Sequence, residues 1–191
     1  THHIHIDLIS FDIITIEIKI PDTMSLDSRL ERILAGKPAN HRDAVTASRL
    51  LLHTAALLER RVDEALAPFG IHMREYLALH LLADSVHEAL RPSDLGVSLD
   101  ATRTQVTRLL DGLEKKGLVI RSQDAQDRRS LQLGLTGSGS ALLGQCMPVV
   151  QAVYLQAWSG IGDAATAQMQ KRLRGVHQRL QSPDSKAQVP A

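Results

Sequence analysis

The segment 101–116 constrains most strongly what this chain can fold into. At about 100° per residue, its apolar and polar side chains fall in opposite arcs of a helix. The apolar arc contains Val106, Leu109, Leu110 and Leu113. The polar arc contains Arg103, Thr104, Thr107, Arg108 and Asp111. The pattern predicts a helix that packs on a core and exposes hydroxyl and guanidinium groups on its other face.

Residues that start and end helices stand on both sides of this segment. Pro92 occupies a first helical position and begins a short helix that extends to Leu99. Asp100 is predicted to cap the polar-faced helix, and Gly117 to end it. A short helix, a tight turn and a polar-faced helix therefore follow one another.

A β-hairpin is predicted directly after the polar-faced helix. Two runs of alternating polarity, 118–121 and 130–135, enclose the polar stretch 122–129. Short hydroxyls and guanidinium groups hydrogen-bond base edges and phosphates in a major groove, where a helix fits. A single Arg or Thr on such a face is more often simply solvated. The order of the elements nevertheless favours a winged helix-turn-helix that binds duplex DNA.

Further helices are predicted on both sides of this unit. Two of them cover residues 43–67 and 74–84. A long helix is capped by Thr136 and kinked at Pro148, and a last helix follows the break at 160–162. Their apolar surface is larger than a small winged-helix unit can cover, so a second chain must cover part of it. This predicts a two-fold homodimer. Two recognition helices would then lie about one DNA turn apart and require a near-palindromic operator.

The fold class is therefore predicted as mainly α, a winged helix-turn-helix with a small β-hairpin wing and N- and C-terminal dimerisation helices. The expected organisation is a leader at 1–23, an N-terminal extension at 24–42, dimerisation helices at 43–70 and 137–181, a DNA-binding domain at 71–136, and a disordered tail at 182–191. The Ile-rich leader differs sharply in composition from the rest and is expected to be vector-derived or otherwise non-native. The alternative is a genuine hairpin or edge strand.

Composition limits the remaining function classes. The 191 residues carry 22 Lys and Arg against 21 Asp and Glu, so only local clustering of charge bears on a nucleic-acid partner. The single cysteine, Cys146, suits a reducing cytoplasm, where we expect the protein to act. No apolar run approaches the length of a membrane span. No metal site, cofactor site or catalytic constellation is predicted, so the chain is not expected to be an enzyme.

The motifs resemble those of the MarR family of transcriptional regulators. They are Pro-Ser-Asp-Leu at 92–95, the run 107–121, the run 127–136 and Gly139. The similarity in layout extends over 42–180, and its details are most like the EmrR-type multidrug-efflux repressors. The resemblance implies a repressor that binds its operator as a homodimer and is released by a small aromatic or anionic ligand.

The resemblance also assigns roles to individual residues. It implies that Arg129 at the wing tip enters the minor groove, that Asp127 holds the wing in shape, and that Arg128 contacts a phosphate. A narrow minor groove attracts Arg by its negative potential, although a simply solvated turn is the alternative. The predicted DNA-binding residues are Thr102, Arg103, Thr104, Gln105, Thr107, Arg108, Arg121, Arg128 and Arg129.

A ligand crevice and a thiol switch are weaker hypotheses. The resemblance places an effector between the dimerisation helices and the winged lobes, where Arg49, His53, Met73 and Tyr76 are candidates. Core packing or simple surface exposure is the favoured explanation for each of them. Cys146 is expected to be buried rather than redox-active, because neighbouring cations are absent from its sequence context. A winged helix that docks protein instead of DNA is the alternative function.

Overall fold

The computed structural model describes residues 32–85, 90–123 and 131–182. The leader, Asp127, Arg128, Arg129 and residues 183–191 lie outside these ranges, so the predictions made for them stay predictions. The chain divides into two units, residues 1–51 and 52–191. The described part of the first unit contains the buried Leu34 and the start of helix α1 (Ala39–Leu66), which continues into the second unit.

The second unit contains the remaining elements in the predicted order. The helices are α2 (Met73–Asp84), α3 (Pro92–Ser98), α4 (Arg103–Lys115), α5 (Gly137–Trp158) and α6 (Asp163–Gln181). The strands are β1 (Val119–Gln123) and β2 (Leu131–Leu135). This confirms a mainly α fold with one small antiparallel hairpin. Within the described ranges, no helix is long and apolar enough to cross a membrane.

The start of α4 corrects one prediction. Thr102, not Asp100, is the N-cap of this helix, and its hydroxyl accepts a hydrogen bond from the Gln105 amide at 3.3 Å. Asp100 instead has a φ of 47°, in the left-handed region that Asp tolerates better than most residues. It ends the turn after α3, where its amide donates to the Val97 carbonyl at 3.3 Å.

The hydrophobic core of the second unit lies beneath α4. Val106, Leu110 and Leu113 of that helix are buried, as the predicted apolar arc requires. They belong to one cluster with residues of α2, α5 and both strands, including Leu79 and Val150. The polar face of α4 is thereby directed outward.

The hairpin is joined to the rest of the unit through the middle of its second strand and at its base. Its strands pair antiparallel from Val119 with Leu135 to Gln123 with Leu131, and the Leu133 amide donates to the Leu90 carbonyl at 3.0 Å. At the base, Thr136 caps α5 as predicted by accepting from the Gly139 amide at 3.0 Å. The hairpin base is thus held in a fixed position beside α4. Pro148 lies inside α5.

Candidate nucleic-acid interface

The exposed face of α4 presents the side chains that the sequence assigned to DNA. The six residues from Thr102 to Arg108 other than Val106 are exposed, and they are Thr102, Arg103, Thr104, Gln105, Thr107 and Arg108. The helix supports them because its opposite side is embedded in the core. This arrangement provides a rigid, cationic and hydrogen-bonding surface of the width of one helix.

Several of these polar groups already have partners within the helix. The Gln105 Oε1 atom accepts from the Thr102 backbone amide at 2.8 Å and from the Thr102 hydroxyl at 3.0 Å. The Thr107 hydroxyl donates to the Arg103 carbonyl at 3.0 Å. The first turn of α4 is therefore fixed by reciprocal capping. Only some of its polar groups remain free to bind a ligand.

Arg121 has a different environment from the other predicted DNA-binding residues. Its Nη2 atom lies 2.6 Å from Asp111 Oδ1, and its Nε atom lies 3.5 Å from Glu114 Oε2. The Arg121 side chain is only 23% exposed. The guanidinium therefore ties β1 to α4 and offsets part of the negative charge at the far end of the polar face.

A second ion pair fixes the end of α4. Lys116, the C-cap residue, donates to both Glu75 carboxylate oxygens, at 2.7 and 2.9 Å, and to the Gly70 carbonyl at 2.7 Å. Glu75 also accepts from the His72 amide at 3.0 Å and is the one buried charged residue of the described chain. Glu75 thus joins the start of α2 to the end of the polar-faced helix.

Sequence reasoning missed both ion pairs. Glu75 stands three residues after the cap position of α2, and this spacing is the available signal for a capping carboxylate. The partner Lys116 is 41 residues away in the chain and gives no local signal. Asp111 was assigned to the polar arc, but its pairing with Arg121 depends on how the hairpin packs.

The residues proposed for a ligand crevice have unlike environments. Tyr76 is only 5% exposed, and its ring makes an edge-on contact with the ring of His80 at a centroid distance of 6.0 Å. Burial raises the pKa of Tyr76, and interactions with Tyr154 and Cys146 raise it further. Met73 is half-buried, while Arg49 and His53 are exposed on α1. Their assignment to a ligand stays a prediction.

Cys146 is fully buried, as expected from its sequence context. Burial raises the pKa of its thiol, which lowers the thiolate fraction at neutral pH. No cluster of three or more His, Cys, Asp or Glu side chains suited to a metal ion occurs among the described residues.

A short helix, a polar-faced second helix seated on the core and an adjoining hairpin define a winged helix-turn-helix protein. The MarR family model matches residues 71–131, which cover these elements up to the start of β2. In these residues the chain is similar to MarR-family transcriptional regulators.

Relatives in sequence and structure agree with this assignment. The transcriptional repressor MprA of Escherichia coli K12 is 29% identical over 155 residues, which span 79% of this chain and 88% of MprA. The S. aureus MepR–DNA complex aligns with a TM-score of 0.66 and 27% identity over 69% of this chain and 96% of MepR. CouR of Rhodococcus jostii RHA1, solved with p-coumaroyl-CoA, aligns with a TM-score of 0.59 and 29% identity over 66% and 88% of the two chains.

Proposed function

We propose that this chain is a repressor that binds a near-palindromic operator as a homodimer and is released by a small aromatic or anionic ligand. The observation that carries the proposal is the exposed face of α4, whose Arg103 and Arg108 project from a helix anchored in the core. Such a face suits the major groove, where Arg donates to guanine and to phosphates. The similar MepR chain was solved bound to DNA.

The homodimer is inferred from helices that lack packing within their own chain. The 19-residue helix α6 has no buried residue, whereas helices in proteins owe most of their stability to packing of an apolar face. Its apolar residues Met169, Leu173, Val176 and Leu180 follow the alternating spacing of four and three residues that typifies a coiled-coil seam. Met169, Val176 and Leu180 are exposed. We infer that a second copy covers this seam.

The dimer sets the geometry of the operator. A two-fold axis presents the same helix α4 to two half-sites, which must be inverted repeats of one another. Recognition helices of such dimers occupy successive major grooves about 34–36 Å apart. We therefore propose half-sites separated by about one helical turn. Because the DNA that such a repressor controls is in the cytoplasm, we place its action there.

The effector is proposed by analogy and from residue chemistry. CouR was solved with p-coumaroyl-CoA, which is both aromatic and anionic. Arg49 and His53 could pair with an anion, while Met73 and Tyr76 offer apolar surface. Because MprA, the EmrR repressor, is among the relatives, we propose efflux or detoxification genes as targets.

The DNA-binding proposal is tested with the full chain and the promoter region upstream of its own gene. Fluorescence anisotropy at several salt concentrations should give tight binding that competitor DNA of random sequence displaces poorly. Arg108→Ala should weaken operator binding by roughly tenfold, since one good base contact is worth about 1–3 kcal/mol. Arg172→Ala on the exposed surface of α6 is the matched control and should leave affinity unchanged. Equal, weak binding to all duplexes would support the protein-docking alternative.

The dimer is tested separately by sedimentation. Val176→Glu places a charge in the proposed seam and should yield monomers that bind a single half-site weakly. Gln178→Glu adds the same charge to the same helix outside the seam and should remain dimeric. If Val176→Glu sediments like the parent, the seam is not the interface.

A further inference from the structure

If α4 binds DNA as proposed above, the hydrogen-bonding groups that are free on its surface determine which base edges it can recognise. The following inference rests on that proposed function. An Arg side chain has donors only, whereas Gln, Asp and Thr supply acceptors. In this chain the acceptors of the polar face are largely engaged by neighbouring residues. The type of base edge that the helix can recognise is therefore restricted.

Gln105 is held in a single amide orientation. The Thr102 backbone amide can only donate, so the Gln105 atom 2.8 Å away must be the carbonyl oxygen. The Thr102 hydroxyl donates to the same oxygen at 3.0 Å. Because this oxygen has two donors, only the NH2 group of Gln105 remains for DNA, and no described residue bonds to it.

The acids further along α4 are engaged as well. Arg121 lies 2.6 Å from Asp111 Oδ1 and 3.5 Å from Glu114 Oε2, so one guanidinium engages both carboxylates and offsets one of their two negative charges. The Thr107 hydroxyl proton is used by the Arg103 carbonyl at 3.0 Å, which leaves that oxygen as a neutral acceptor. Arg103, Arg108 and the Gln105 NH2 group therefore remain as donors, and the hydroxyls of Thr104 and Thr107 are the neutral groups beside them.

We propose that Gln105 is a specificity-determining residue that reads an acceptor edge in the major groove, guanine O6 and N7 or thymine O4. Gln usually recognises adenine by accepting from N6 while donating to N7. That bidentate contact requires a free carbonyl oxygen, which the cap removes here. Adenine offers the NH2 group only N7, next to its own N6 donor, whereas guanine offers two adjacent acceptors, so the half-site should favour guanine or thymine over adenine at this side chain.

The test uses the substitution Gln105→Glu, which separates the cap from the contact. Glu supplies the same capping oxygen, so the helix should be as stable as in the parent or more stable. It replaces the NH2 donor by an acceptor oxygen, which suits cytosine N4. Operators are selected from a library of random duplexes with the full-length parent and with the variant, and the two base-preference profiles are compared.

We expect the parent to favour guanine or thymine at one position of each half-site by roughly tenfold, and the variant to favour cytosine there. The added charge lowers affinity for all sequences, but it does not by itself change which base is preferred. Gln170→Glu, the same change on the exposed surface of α6, should reproduce the parental profile.

Each outcome of the selection bears on one of the two proposals. If the parent selects an operator and Gln105→Glu gives the same profile, or if the changed position is adenine in the parent, the role of Gln105 is wrong while DNA binding stands. If the parent enriches no sequence at all, the proposed function itself fails, and this inference with it.

Discussion

Arg121 Nη2 lies 2.6 Å from Asp111 Oδ1, so a residue of the hairpin neutralises an acid on the polar side of α4. The pair explains how an acidic residue can be present on a surface that approaches a polyanion. It also gives Arg121 a second possible role beside the predicted contact with DNA, namely to position β1 and to neutralise Asp111. The two roles give different results in a double variant.

Arg121→Met should weaken operator binding roughly fivefold, because the freed Asp111 charge costs about 1 kcal/mol near phosphates. Adding Asp111→Asn to this variant should restore most of the parental affinity. Anisotropy titrations of the two single variants and the double variant measure the coupling. A double variant as weak as Arg121→Met would indicate that Arg121 contacts DNA directly.

Lys116→Met should lower the free energy of unfolding by about 2 kcal/mol, because the buried Glu75 carboxylate loses its charged hydrogen-bond donor. Lys115→Met removes a neighbouring ammonium group that contacts no described residue. It should change stability by less than about 0.5 kcal/mol. Urea denaturation compares the two variants. Equal stabilities would show that the ion pair contributes nothing to the fold.

Gly139→Ala should destabilise the junction between the hairpin and α5. A Cβ atom at this position would overlap the Leu118 carbonyl oxygen and lie 2.8 Å from Leu135 Cδ1, so backbone must move. Overpacking of this kind costs about 1–3 kcal/mol. Gly144→Ala, in the same helix with no atom within 4 Å of the added Cβ, should instead stabilise by up to about 1 kcal/mol. Thermal unfolding distinguishes these opposite signs.

Arg129→Ala should weaken binding evenly across sequences and reduce the salt slope by about one, because one phosphate-directed charge is lost. Asp127→Ala should also weaken binding, although removing an acid would by charge alone strengthen it. Salt-dependent titrations measure both effects. Tighter binding by Asp127→Ala, or an unchanged slope for Arg129→Ala, would contradict the proposed role of the wing.

Local sequence patterns predicted the helices and strands and their order well. They predicted the exact residues at which helices begin less well. Val106, Leu110 and Leu113 of the predicted apolar arc are buried and Leu109 is partly buried. Pro92 begins its helix and Thr136 caps the next, as predicted. Asp100 was the wrong cap because Asp and Thr are both good caps. The choice between them depended on the backbone of the turn, where Asp100 takes a positive φ.

The sequence by itself determined the order of elements, the buried side of α4 and the exposed basic side, because helical periodicity and turn residues act over a few neighbouring positions. Only the tertiary structure decided which polar groups on that side are free. Lys116 reaches Glu75 across 41 residues, and Arg121 reaches Asp111 from another element. Such pairs form where packing brings distant segments within hydrogen-bonding distance, and no local pattern encodes that distance.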